Sequence, residues 1–307
     1  MNPPEPSYPV TSLARTLPLC AAVVIILLGC ATAPQDRSSP PAASHGTPGV
    51  APTTVAAEVA EARAHAALRE TPPDWQRARE GFESAAAAGS VAAMTQLGWI
   101  YEQGHGVPMD GEEAARWYAA AARGGASEYA LKLGWMYLGG QGVAQDVALA
   151  EHWFEEAIEA DYAPARVAWA SVLIADAMGG AEPSRVAEAR ALLETALADG
   201  ETLATHFLVR LYLEGIGGHP IDATRAAEYA QLGAARGHAS VQARLAYLYL
   251  EGQGVEQDAL TAAKWANLAA AGGDASGERL RRLLDGVLTE AERREVRARA
   301  IAWAAAQ

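Results

Sequence analysis

Apolar residues in the middle of this chain recur at helical spacing. Ala93, Leu97 and Tyr101 stand at i, i+4 and i+8, one face of an amphipathic helix. After a short break Ala114, Trp117 and Ala121 begin a second such face, so the segment predicts two helices joined by a turn. Gly104 and Gly106 supply that turn, because glycine takes up positive φ at little cost and commonly ends helices. Asp110 suits the N-cap of the second helix, and Gly124 and Gly125 end it. Gly98 lies inside the first helix, where glycine costs about 1 kcal/mol relative to alanine. Close approach of the partner helix is the expected reason.

The pattern returns 36 residues later: Gly98 to Gly134, Tyr101 to Tyr137, Asp110 to Asp146 and Trp117 to Trp153. A period of this size predicts a solenoid, in which each unit buries its apolar face against its neighbours. A further full unit stands at Leu245, Tyr249, Gly252, Gly254, Val255, Asp258, Ala262 and Trp265. Residues 203–237 form a looser unit with Leu208, Tyr212, Gly215, Asp222, Ala226 and Tyr229, and its turn Gly215–Pro220 carries one extra residue. Residues 163–200 are degenerate, the glycine turn being replaced by Asp176–Pro183. Residues 56–89 suggest a divergent helix pair broken at Thr71-Pro72-Pro73. Residues 275–306 suggest a final helix and then a capping box of Thr289 and Glu292.

Ala93, Leu97, Gly98, Tyr101, Gly104, Gly106, Val107, Asp110, Ala114 and Trp117 resemble, residue by residue, the signature of the Sel-one-like repeat, a tetratricopeptide relative. Leu133, Gly134, Tyr137, Gly140, Gly142, Val143, Asp146, Ala150 and Trp153 match it equally. The resemblance implies an all-α fold, a right-handed α-solenoid of helix–turn–helix repeats forming a tetratricopeptide/Sel-one-like superhelix. It divides the chain into a divergent helix pair over 56–91, five repeats over 92–273 with 163–200 degenerate, and capping helices over 274–307. In tetratricopeptide-like arrays the first helix of each pair lines a concave groove. By that analogy the column after the Leu-Gly position, Trp99, Trp135, Arg210 and Tyr247, faces a partner. Three residues earlier stand Gln96, Lys132, Phe207 and Arg244, i, i+3 neighbours of the first column. Aromatic residues and arginine are enriched at binding hot spots.

The N-terminus follows a different logic. Residues 17–28 form an apolar run after Arg15, too short for a comfortable span of roughly 20 residues and suited to a secretory signal. It ends in Leu27-Leu28-Gly29-Cys30, which resembles the lipobox of bacterial lipoproteins. The resemblance implies a signal peptide over 1–29, cleavage before Cys30, and acylation of Cys30, which would hold the protein at a membrane. Ala31 stands where an Asp retains enterobacterial lipoproteins at the inner membrane, which points to the outer membrane facing the periplasm. Residues 30–55 are rich in Pro, Ser and Thr without apolar period and are expected to be a disordered tether, with a coil reach of roughly 25–30 Å. Cys20 and Cys30 are the only cysteines, so the mature chain would hold no disulfide and no free thiol.

Composition removes several classes of function. The net charge is −13 and only Lys132 and Lys264 are lysines, which argues against nucleic acid. The glycine turns lack the Lys-Ser/Thr of a phosphate loop. The seven histidines show no metal spacing, and no cofactor or metal is expected. There is no G-x-S-x-G elbow, and an acylated Cys30 is blocked as a nucleophile. Certain cysteine-rich relatives have been described as β-lactamases, but their one disulfide per repeat is missing here. The expected function is therefore non-enzymatic: a lipid-anchored scaffold or adaptor for envelope proteins in a secretion, polysaccharide-export or cell-wall complex. Binding of peptidoglycan or exopolysaccharide is the alternative, and a hydrolase the least favoured class.

Overall fold

The computed structural model of this protein describes residues 54–180 and 183–306. The apolar run, the lipobox tetrad with Cys30, and the tether up to residue 53 lie outside them. The tether's last position already belongs to a helix: Val55 opens α1, and Thr54 before it accepts from the Ala57 N–H as N-cap. The described residues form fourteen α-helices and no strand. They are α1 Val55–Leu68, α2 Trp75–Ala87, α3 Val91–Gln103, α4 Gly111–Arg123, α5 Ser127–Gly139, α6 Val147–Glu159 and α7 Ala163–Met178. There follow α8 Pro183–Ala198, α9 Ala204–Glu214, α10 Ala223–Ala235, α11 Ala239–Glu251, α12 Ala259–Ala271, α13 Ala275–Val287 and α14 Glu290–Ala305. The chain divides into two compact units, residues 1–168 and 169–307, so the boundary falls inside α7.

Within each unit the helices pack as α-solenoid pairs. Leu97, Leu133, Leu208 and Leu245 on the first helices are fully enclosed. Ala114, Ala150, Ala226 and Ala262 on the second helices are also fully enclosed. A small residue against a branched one lets the pair approach closely, and burial of each such leucine stabilises by roughly 2 kcal/mol. Gly98 meets the expectation of close approach: a Cβ there would stand 2.4 Å from the Tyr118 ring of α4. Gly134 stands in the same relation to Phe154 of α6, at 2.9 Å. In the second unit the size relation changes, because Val209 and Ala246 occupy the glycine position and Ala230 and Ala266 the aromatic one. All four are buried.

The turns are built twice over. Gly104, Gly140, Gly215 and Gly252 end the first helices in the left-handed conformation. Asp110, Asp146, Asp222 and Asp258 then cap the second helices by accepting backbone N–H bonds. The second glycine of each turn has another task. A Cβ on Gly106 would stand 2.4 Å from Trp75 Cβ, and one on Gly217 2.4 Å from Val186 Cγ2. A Cβ on Gly254 would stand 1.9 Å from the Ala223 carbonyl oxygen, and one on Gly142 3.1 Å from Gly111 Cα. In all four cases the partner lies 31 residues back, at the start of the preceding second helix. These glycines are the seams at which one repeat rests on the previous one.

Second helices end on a left-handed residue at Gly89, Gly125, Gly200, Gly237 and Gly273, but at α6 the position is Asp161, with φ 59°. Its carboxylate pairs with Arg166 on α7. A non-glycine residue there costs about 1–2 kcal/mol; Arg166 is buried but the Asp161 side chain is 87% exposed, so its water-screened carboxylate returns less than about 1 kcal/mol. Asp161→Gly is therefore expected to raise stability by about 0.5–1 kcal/mol in urea denaturation. A loss would show that the Arg166 pair outweighs backbone strain.

Candidate interaction surface

The eight predicted groove residues fall into two kinds. Gln96 and Phe207 are only 4% and 6% exposed, which corrects their assignment as partner contacts. The column they share faces the seam between successive first helices, where a side chain without a charged tip is enclosed. Lys132 and Arg244 are long enough to carry their charge to the rim. Both then bridge repeats: Lys132 Nζ lies 2.7 Å from Glu102 Oε2, and Arg244 Nη2 lies 3.7 Å from Glu214 Oε1. Each pair spans 30 residues. Lys132 also donates to the Tyr118 hydroxyl at 3.2 Å and sits 4.3 Å from that ring's centre. Burial, then the Glu102 carboxylate, push the Tyr118 hydroxyl far above the usual phenol range.

The other column is half-buried except at its last member. Trp99 packs against His105 at 4.5 Å and Trp75 at 5.9 Å, and His105 stacks on Trp75 at 4.3 Å. Burial holds the His105 imidazole below its ordinary pKa, which keeps it neutral between the two indoles. Trp135 meets Phe154 edge to face at 5.2 Å. Arg210 is fixed by two bonds to Glu214, at 3.2 and 3.0 Å. Tyr247 is 36% exposed.

In the second unit these residues converge. Arg244 and Tyr247 of α11 line a cleft of about 220 Å³ with His206 of α9, Ser240, and Asp274 and Ser276 at the start of α13. Reading the sequence missed His206, Ser240 and Asp274, because the same helix positions carry unrelated residues in other repeats. Ser240 Oγ stands 3.4 Å from His206 Nδ1. The trio does not form a catalytic triad: the Asp274 carboxylate accepts from the Gly277 N–H at 2.7 Å as an N-cap. Burial, then Arg210 and Arg244, lower the His206 pKa to about 4, against the raising effect of Glu214 and Asp274. An imidazole with that pKa is a weak base at neutral pH.

Because the folded pKa lies below the unfolded value of about 6.5, the folded state binds fewer protons between the two. Stability from neutral His206 is thus present above pH 6.5 and lost as pH falls towards 4. The expected contribution is on the order of 3 kcal/mol. His206→Asn should flatten the acid limb of a stability-against-pH curve over that window. An unchanged slope would show that His206 titrates normally.

Among the described residues no His, Cys, Asp or Glu group is placed to hold a metal ion, and no helix is long and apolar enough to cross a membrane. A stacked-helix scaffold presenting an aromatic and cationic surface is the class of protein that this architecture defines. Residues 91–125, 127–162, 203–238 and 239–274 match the Sel1 repeat family, so these four segments are Sel1-like repeats. Sel1 repeats of this kind typically serve as non-catalytic scaffolds for protein–protein interaction. The chain is similar to a protective antigen of uropathogenic Escherichia coli with an SLR fold, at 25% identity and a TM-score of 0.63 over 75% of this chain. It spans about half of that protein, 49% of its length. It is also similar to a Sel1 repeat protein from Oxalobacter formigenes, with 24% identity and a TM-score of 0.59, covering 73% of this chain and 88% of that one. No curated protein matches the sequence.

Proposed function

We propose that this protein is a lipid-anchored adaptor of the bacterial cell envelope that holds partner proteins on the faces of its first helices. Acylation at Cys30 sets its place at the membrane, the Pro/Ser/Thr segment gives reach, and the repeats select the partner. The observation that carries the binding part is the convergence of Arg244, Tyr247 and Asp274 around an open cleft. An exposed tyrosine beside an arginine is a hot-spot combination. The Leu27–Cys30 tetrad directly after an apolar run supports the anchor. That one similar structure is a protective antigen fits an envelope setting.

Photo-crosslinking in cells from position 247, followed by mass spectrometry, tests the binding part. A discrete protein adduct that Arg244→Ala abolishes is the expected result. Glycan adducts alone would instead support the carbohydrate alternative. Labelling with an alkyne fatty acid, lost on Cys30→Ser, tests the anchor separately.

A further inference from the structure

A cleft of about 590 Å³ in the second unit lies where the repeat pattern is broken. Its walls come from the first half of α8, Tyr212 of α9, the enlarged turn after it and the start of α10. In the degenerate repeat Asp176–Pro183 replaces the Gly-x-Gly turn. The next turn carries one extra residue and a 3-10 segment over Ile216–Gly218, and its His219 and Pro220 line the cleft. The volume is within the range of ordinary ligand sites.

Two guanidinium groups line the cleft, in a chain whose net charge is −13. Arg190 Nη1 donates to both oxygens of Glu194, at 3.0 and 2.9 Å. Arg225 Nη1 donates to the Tyr212 hydroxyl at 3.1 Å, and Tyr212 in turn lies 3.5 Å from Glu194 Oε1. Asp222 is 3.9 Å from Arg225 Nε and is occupied as the N-cap of α10. Nη1 of each arginine is thus held in place, Arg225 Nε being paired with Asp222 as well, and a guanidinium carries five N–H donors. The remaining donors present a planar fork that suits carboxylate oxygens. Fixing the forks beforehand lowers the ordering cost of binding.

The other walls are apolar: Pro183, Val186, Ala187 and Pro220. Tyr212 offers no free face, since Tyr229 stacks on it at 5.7 Å, His219 meets it edge to face at 4.7 Å, and Arg225 lies 5.7 Å from the ring centre. Sugar rings need an open aromatic platform, so this cleft favours a peptide over a glycan. We infer that the Arg190–Arg225 cleft is a docking site for a short acidic peptide segment, with carboxylates on the two guanidiniums and an apolar side chain against Pro183 and Val186. This site is independent of the Tyr247 surface.

The test is fluorescence anisotropy of the full-length protein with a labelled Leu-Glu-Leu-Glu peptide, with Leu-Gln-Leu-Gln as the neutral control. Binding of the acidic peptide alone is expected, weakened at least tenfold by Arg225→Gln and by Ala187→Trp, which fills the cleft and leaves both charges. Arg244→Ala, on the other surface, should leave it unchanged. Circular dichroism of each variant verifies the fold. Equal binding of both peptides, no binding, or wild-type affinity in a folded Ala187→Trp variant would overturn the inference. So would stronger competition by oligogalacturonate than by unlabelled peptide, which would move the site to the glycan class.

Discussion

Gly254→Ala is expected to destabilise the protein by about 2–5 kcal/mol, the sum of left-handed backbone strain of about 1–2 and forced overpacking of about 1–3 kcal/mol. The added methyl would stand 1.9 Å from the Ala223 carbonyl oxygen and 2.3 Å from its carbon, at φ 70°. Backbone cannot swing aside as a flexible side chain can. Gly237→Ala is the matched control: its φ is 85°, but nothing lies within 4 Å of its Cβ. It should lose only the strain, about 1–2 kcal/mol. Urea denaturation of the two variants separates the effects. Equal losses would mean that the seam relaxes freely and that the turn glycines serve conformation alone.

Tyr118→Ala is expected to cost about 3–5 kcal/mol, because it empties a buried aromatic site and removes the hydroxyl that donates to Glu102 and accepts from Lys132. Gly98→Ala in the wild-type background should cost about 1–3 kcal/mol by overpacking, despite the better helix propensity of alanine. In the Tyr118→Ala background the same change should stabilise, since the Cβ then enters vacated space. The double variant recreates the Ala246–Ala266 pairing of the second unit. A double-mutant cycle by denaturant melting gives the coupling, expected at about 1–3 kcal/mol. Additive losses would show that the Gly98–Tyr118 contact does not set the helix spacing.

The local rules of this fold were open to reading from sequence. Asp caps, left-handed turn glycines and the Thr289–Glu292 box depend on residues three or four apart, and each is found where the spacing put it. The need for glycine at position 98 was also legible, but the identity of the facing ring was not, because Tyr118 is brought in by helix packing. The surface was harder. Gln96, Lys132, Phe207 and Arg244 share one repeat position, yet only the two long cationic side chains escape the seam. Whether a side chain reaches the rim depends on its length and on an acid 30 residues earlier. The Arg190–Arg225 cleft was visible only as irregularity, a lost turn and one surplus residue. What irregular turns enclose depends on contacts between repeats, which no period encodes.

The seam glycines also give the array a direction. At three joints the incoming turn must be glycine while the host position carries a side chain: Trp75, Val186 or Ala223. At the fourth both partners are glycine, since a Cβ on Gly111 would stand 2.0 Å from the Gly142 carbonyl oxygen. Where the demand falls on the newcomer alone, a unit copied on the C-terminal side brings its own turn glycine and leaves what precedes it unchanged. Residues 163–200, whose turn brings no seam glycine, are also where the division into two compact units falls.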